Sequence, residues 1–482
     1  MTMGTSVKIA VIGAGSATFS LALVKDLCLT EGLSDSLVSF MDVDPDRLAM
    51  IHKLAGRYAD ELGAPLTFES TTDRDAALRD ADFVINTASV VPYSYTVDIR
   101  RMLQERGYSW SGPGVGEYAY YNISFMLDVA HDMERICPDA WLIQAGNPVY
   151  EGCTAITRQT DIKTCGLCHG HYGYRKICDM IGLDWHKVTW QAPGLNHDIW
   201  LTHFFYEGQD AYPILDRWIE EEGPAYWADT AASRPMTPGK MNTPELQRAW
   251  EIDVSRAAVH MYQMFGLMPI GDTTWANYVG WWYHTDLATK RYWFGEPWGG
   301  QNSELSWPMY VDNQTARVKE IARLAQDPKL SLVEALGASK THEQHVPIID
   351  GLVNDHEGQF QVNVPNHGAL PGVPADVVVE LPALVSKKGI QPIRVEPLPD
   401  KIMVEQILPH WLSMERTLLA IETGDRSMLL WRLLDHEEVH SYAEAEELLD
   451  VVLNVPFNRA MNEHFRWPAG WREYVSERPV PA

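Results

Sequence analysis

Apolar and polar positions follow two rhythms along this chain. Val7 to Ile12 is a short β-branched apolar run, which predicts a buried strand, and Gly13-Ala14-Gly15-Ser16 stops it before a helical pattern from Ala17 to Leu27. A second apolar run, Leu37 to Met41, ends in Asp42, and an amphipathic helix follows through Arg47 to Leu62. Phe83 to Asn86 and Trp141 to Gln144 read as further strands, so strands and helices alternate as they do around a parallel sheet. Beyond residue 200 this rhythm loosens into long helical stretches, proline-rich connections and a polar insert around Thr230 to Glu245. Strand-like runs return at Phe360 to Val364 and Val377 to Leu381, and Ile402 to Phe465 reads as acidic helix. The pattern predicts an α/β chain with a Rossmann-type parallel-sheet domain over residues 1–198 and a mostly helical α+β domain over residues 199–482.

Charge narrows the partners. With 39 Lys and Arg against 65 Asp and Glu, the net charge of −26 repels a phosphate backbone, so nucleic acid and anionic membrane are not expected partners. No run of about 18 apolar residues suggests a bilayer span, and a cytoplasmic protein is expected. Six cysteines are too sparse for a disulfide framework. Cys165 and Cys168 have C-x-x-C spacing, but a structural zinc would want a second pair, which the chain lacks. Tryptophans crowd at Trp281, Trp282, Trp293 and Trp298, where they suit a carbohydrate pocket, an aromatic core or a subunit contact.

The glycine turn carries the first chemistry. Gly13 and Gly15 let backbone approach a pyrophosphate while the following helix offers free amides and its positive end. Thr18 occupies the third glycine position, so the fingerprint is incomplete; the order of strand, turn, helix, strand and terminal acid still points to a dinucleotide. Asp42 suits both ribose hydroxyls and repels a 2′-phosphate, favouring NAD+ over its phosphorylated form.

Four further pieces stand out. Gly146-Asn147-Pro148 follows the strand Trp141 to Gln144, which puts Asn147 at a strand's carboxyl end. Cys168-His169-Gly170-His171, Gly194-Leu195-Asn196-His197 and Gly271-Asp272-Thr273-Thr274 are the others. A thiolate and an imidazole from neighbouring strand ends can hold a divalent transition metal with positions left open for substrate oxygens. Singly, a histidine in a turn is more often a hydrogen-bonding residue, and a cysteine near a strand end is more often core.

Taken in order, these stretches, with Phe83 to Ala88, Gly166 to Gly173, Pro269 to Thr273 and Val362 to Asn366, resemble glycoside hydrolase family 4, the NAD- and metal-dependent glycosidases, and its α-glucosidase-like branch in particular. The resemblance implies Cys168 and His197 as ligands of Mn²⁺ or another divalent metal, and Asp272 as the base that removes the sugar's C2 proton. It implies Asn147 and His169 as substrate contacts, and Gly13, Gly15, Ser16, Asp42 and Asn86 as cofactor contacts. It implies transient oxidation at C3, deprotonation at C2, elimination of the aglycone and addition of water, a route that departs from the two-carboxylate rule. Homodimers or homotetramers are implied as well.

Two departures bear on substrate. No aspartate matches the family's leaving-group acid in the loop before a helix expected to start near Tyr121; Glu117 is the nearest carboxyl and Tyr118 the nearest phenol. Trp275 stands where family members tend to carry arginine, which leaves open an α-linked hexoside or a uronide. The competing readings are an NAD-dependent sugar or 2-hydroxy-acid dehydrogenase, which needs no metal, and a non-catalytic NAD or sugar sensor.

Overall fold

A computed structural model describes residues 5–16, 19–228, 254–273, 280–296, 298–341 and 343–471. Ala17, Thr18, the insert Thr230 to Glu245, Thr274 and Trp275 lie outside the described residues. Strands β1 (Lys8–Ile12), β2 (Leu37–Met41), β3 (Thr67–Thr71), β4 (Phe83–Asn86), β5 (Trp141–Gln144) and β6 (Lys163–Gly166) pair in parallel in the order β3-β2-β1-β4-β5-β6. That order reverses between β1 and β4, and the reversal opens a crevice at the strands' carboxyl ends. Central strands such as β4 are buried throughout, which explains their unbroken apolar runs. The edge strand β3, Thr-Phe-Glu-Ser-Thr, is half exposed and carries no such run, so pattern alone passes over it. The helix after β2 begins at Pro45, because the Asp44 side chain accepts from the amides of Asp46 and Arg47.

The remaining strands are antiparallel. They are β7 (Val188–Gln191), β8 (Gly194–Leu195), β9 (Asp198–Leu201), β10 (His203–Tyr206), β11 (Gln209–Asp210), β12 (Met268–Ile270), β13 (Gly358–Pro365), β14 (Val378–Ser386) and β15 (Gly389–Pro392). β13 lies against β6, and β14, β8, β9 and β12 follow outward, making one sheet of 12 strands with β15 on β14. β7, β10 and β11 form a separate sheet of 3 strands. Strands β12 to β15, all from beyond residue 198, therefore extend the sheet that the first segment begins.

The cores mix both segments too. Ile9, Val11, Phe40 and Leu54 share one apolar cluster with Val346, Ile349, Val362 and Val385. A second gathers Tyr150, Trp200, Tyr283, Leu381 and Met414, with Trp282 and Trp293 packed against it, while Trp281 is 55% exposed. The helix expected near Tyr121 starts four residues earlier, at Glu117, directly after Gly116 in a left-handed conformation (φ 83°). The last glycine of the Gly112 to Gly116 run, not the first apolar residue, sets that boundary. Among the described residues, no helix is long and apolar enough to cross a membrane.

Candidate active site

The register of the sheet places the site. One transverse row of paired residues runs Gly166, Asn363, Glu380, Gly194, Ile199, Ile270 across β6, β13, β14, β8, β9 and β12. Cys168 and Asp272 lie two residues beyond this row on their own segments, and His197 lies three beyond, in the two-residue turn joining β8 to β9. Three pieces far apart in sequence thus reach one edge of the sheet. The ligand atoms of Cys168, His197 and Asp272 all fall within 4.8 Å of one another. His197 Nε2 stands 3.2 Å from Asp272 Oδ2.

Local backbone explains why these residue types occur. His197 has φ 63°, a left-handed conformation that a side chain bearing Cβ adopts at a cost, here imposed by the tight turn. Asp198, next along, is fully buried; its carboxylate accepts from Trp200 Nε1 (2.9 Å) and meets His410 Nδ1 at 3.3 Å, which pins one end of the turn. Gly271 has φ 61°, and a Cβ there would come within 2.4 Å of Gly170 Cα, so two glycines let the Cys168 and Asp272 loops touch backbone to backbone. The buried Thr273 hydroxyl then donates to Ile270 O (2.7 Å) and accepts from Ile199 N (3.0 Å), fixing the residue next to Asp272. His171 Nδ1 lies 3.1 Å from Cys168 O, and its ring stacks on Trp190 at 5.8 Å. Cys165 is buried in the core, so the C-x-x-C spacing does not make a chelating pair.

Electrostatics in this cluster favour a cation. Burial pushes the Cys168 thiol up to about 12, and the carboxylates of Glu380 and Asp272 push in the same direction. A thiol that must ligate as thiolate, placed beside two carboxylates, is a donor set whose charge a divalent ion would balance. His169 Nδ1 meets Glu343 Oε1 at 3.1 Å, and that carboxylate raises the imidazole to about 9.

The glycine turn sits at the same edge of the sheet. From β1 to β6 is three strand spacings of about 4.8 Å, roughly 14 Å across the crevice. Gly13 has φ 83°, and a Cβ on it would lie 2.7 Å from Ala88 Cα. Gly15 N donates to Asp42 Oδ2 (2.7 Å), and Asp44 N donates to Oδ1 (3.0 Å), so the carboxylate is oriented at the end of β2. Ser16 Oγ accepts from Phe19 N (3.2 Å) at the start of the helix. Asn86 is fully buried; its amide donates to Gln144 Oε1 (2.9 Å) and its oxygen accepts from Ala88 N (3.2 Å), which shapes the loop over the crevice. Asn147 is exposed beyond β5, between the turn and the cluster.

No described contact joins Glu117 to Cys168, His197 or Asp272. Half-buried at the first turn of its helix, it acts through its charge on Arg100, Tyr95 and Tyr121. Sequence reasoning passed over Glu380 and Glu343, and it quoted Thr273 only as part of a motif, without a role. Glu380 does leave a sequence signal: it is a lone charge inside the apolar run Val377 to Leu381.

A doubly extended sheet with a nucleotide-type glycine turn at one strand and, farther along the same edge, a sulfur, imidazole and carboxylate cluster that could hold a metal has the architecture of a dinucleotide-fold enzyme. The chain belongs to the family 4 glycosyl hydrolases: the family 4 glycosyl hydrolase model matches residues 8–183 and its C-terminal domain model matches residues 192–439. Among its relatives, an alpha-glucosidase of Erwinia rhapontici is 27% identical over 476 residues, covering 93% of this chain and 97% of that protein. An alpha-galacturonidase of Thermoanaerobacter italicus is 22% identical, covering 96% of this chain and 98% of its own length. A solved 6-phospho-alpha-glucosidase from gut microorganisms, in complex with NAD and Mn²⁺, shares the fold with a TM-score of 0.72 at 16% identity, covering 95% of this chain and 99% of that one.

Proposed function

We propose that this glycosyl hydrolase uses NAD+ and a divalent metal, Mn²⁺ in the first instance, to cleave an α-linked hexoside or hexuronide. The observation that carries the reading is the meeting of Cys168, His197 and Asp272 within 4.8 Å at the carboxyl edge of the sheet that also carries the glycine turn. In that site NAD+ would supply a hydride acceptor and the metal a Lewis acid that acidifies the proton next to an oxidised carbon.

The chain's own residues do the rest. Gly13, Gly15 and the helix that follows receive the pyrophosphate, and Asp42 receives the ribose hydroxyls. Cys168 and His197 hold the metal, and Asn147 and His169 contact the sugar. Asp272, fixed by Gly271 and Thr273, takes the C2 proton as a general base. Hydrolysis without net redox separates this reading from a dehydrogenase, and turnover separates it from a sensor.

Nitrophenyl α- and β-hexosides and hexuronides, offered with NAD+, Mn²⁺ and a reductant, test the reading. Release of nitrophenol that requires both additions, with no net NADH and with deuterium at C2 of product formed in D₂O, is the expected result. Turnover without NAD+, or product carrying only protium at C2, would overturn it.

A further inference from the structure

Glu380 has no part in the chemistry above, yet it occupies the middle of the row that organises the site. It is 1% exposed on β14, paired across the sheet with Asn363 on one side and Gly194 on the other. Its Oε2 accepts from Asn196 Nδ2 at 2.8 Å and from Asn363 Nδ2 at 3.5 Å. No lysine or arginine pairs with it among the described residues; its neighbours are neutral amides and, at longer range, His197. Burial pushes the Glu380 carboxyl above the usual carboxylate range, so holding it ionised among amides is costly unless a cation faces it, and such groups are kept where a charge is needed. Its charge reaches both proposed ligands, Cys168 and His197. Asn196, which it grips, is the other residue of the two-residue turn that presents His197.

We propose that Glu380 is a positioning residue of the metal centre: through Asn196 it fixes the turn carrying His197, and its negative charge faces a divalent cation held between Cys168 and His197. The cation is thus the partner that this buried carboxylate lacks in the protein itself. In the metal-free fold the groups that face these negative side chains are imidazoles: His169 acts on Cys168, and His197 on Asp272 and, at longer range, Glu380. The inference rests on the metal reading given above.

Glu380→Gln keeps an oxygen for the Asn196 amide and removes the charge. In the full-length protein, Mn²⁺ affinity, read by electron paramagnetic resonance of the free ion, is expected to fall about 10- to 100-fold, as for other residues that support metal ligands. The metal-free melting temperature is expected to stay level or rise, and NAD+ affinity to stay within about twofold. Asn196→Ala, which keeps the charge and loses the grip, is expected to weaken Mn²⁺ binding and to lower the metal-free melting temperature, because it leaves the carboxylate short of a donor. Mn²⁺ affinity of Glu380→Gln within about twofold of wild type would overturn the proposal. So would a Glu380→Gln protein whose metal-free melting temperature falls along with its affinity, since that marks a purely structural residue. Wild-type protein that binds no Mn²⁺ at all would instead remove the metal reading on which the inference stands.

Discussion

The two halves of the long sheet are built by different means. In the parallel half, β3 to β6, each strand is followed by the helix that returns the chain, so the ends that receive a cofactor come from consecutive local units. In the antiparallel half, β13, β14, β8, β9 and β12 are drawn from residues 194 to 386 out of order, and single-residue pairings, Gly166 with Asn363 and Glu380 with Gly194, carry the register between them. The first half supplies a general nucleotide crevice. The second supplies His197, Asp272 and Glu380, and with them the proposed metal chemistry. Cofactor affinity and metal affinity should therefore be separable by substitution.

The largest expected effect is at the join of the halves. Cys168→Ser should lower Mn²⁺-dependent turnover at least about a thousandfold while NAD+ affinity stays within about threefold, because a hydroxyl replaces the soft ligand and leaves the glycine turn untouched. Steady-state kinetics and NAD+ titration check both arms. Next is Gly271→Ala, whose Cβ would fall 2.4 Å from Gly170 Cα at φ 61°. The Cys168 and Asp272 loops must then part, and kcat should fall about 10- to 100-fold with Mn²⁺ affinity, again at constant NAD+ affinity. Gly13→Ala is the mirror experiment. Its Cβ meets Ala88 Cα at 2.7 Å, so NAD+ affinity should fall about tenfold or more while Mn²⁺ binding is unchanged, with a stability loss of about 1–3 kcal/mol. Loss of both affinities in either glycine variant would mean that the halves are not separable.

The smallest effect concerns stability alone. His284 lies against Phe294 at 5.0 Å, and burial, with Lys290 and Arg100 adding, lowers its pKa to about 3. The unfolded chain takes up a proton below the ordinary histidine pKa that the folded chain refuses. Stability is therefore present above about pH 6.5 and is lost as pH falls toward 3. Wild type should lose about 1–2 kcal/mol more than His284→Phe between pH 7 and pH 5, measured by urea unfolding at both pH values.

Legibility in the sequence followed the same division. Val7 to Asp42 could be read locally because a buried parallel strand, a glycine turn and an acid at a strand end are each signalled by adjacent residues. The strand runs at Phe360 to Val364 and Val377 to Leu381 were visible too, but nothing in them indicated that they join β6 rather than a separate sheet. That is a long-range pairing, on which local pattern is silent. Motif order brought Cys168, His197 and Asp272 forward as candidates, and only the register shows how β6, the turn between β8 and β9, and β12 deliver them to one point. The pairing of the Asn86 amide with Gln144, a residue 58 positions away, is a contact on which local pattern is likewise silent.

The most direct measurement is the absorption spectrum of the reduced protein loaded with Co²⁺ in place of Mn²⁺, recorded for wild type, Cys168→Ser and His197→Ala. Sulfur bound to the metal gives a thiolate-to-cobalt charge-transfer band. The expected result is such a band in wild type, its loss in Cys168→Ser, and a weakened or shifted band in His197→Ala. An intact band in Cys168→Ser, or a wild-type protein that takes up Co²⁺ without one, would contradict a metal centre at Cys168 and His197.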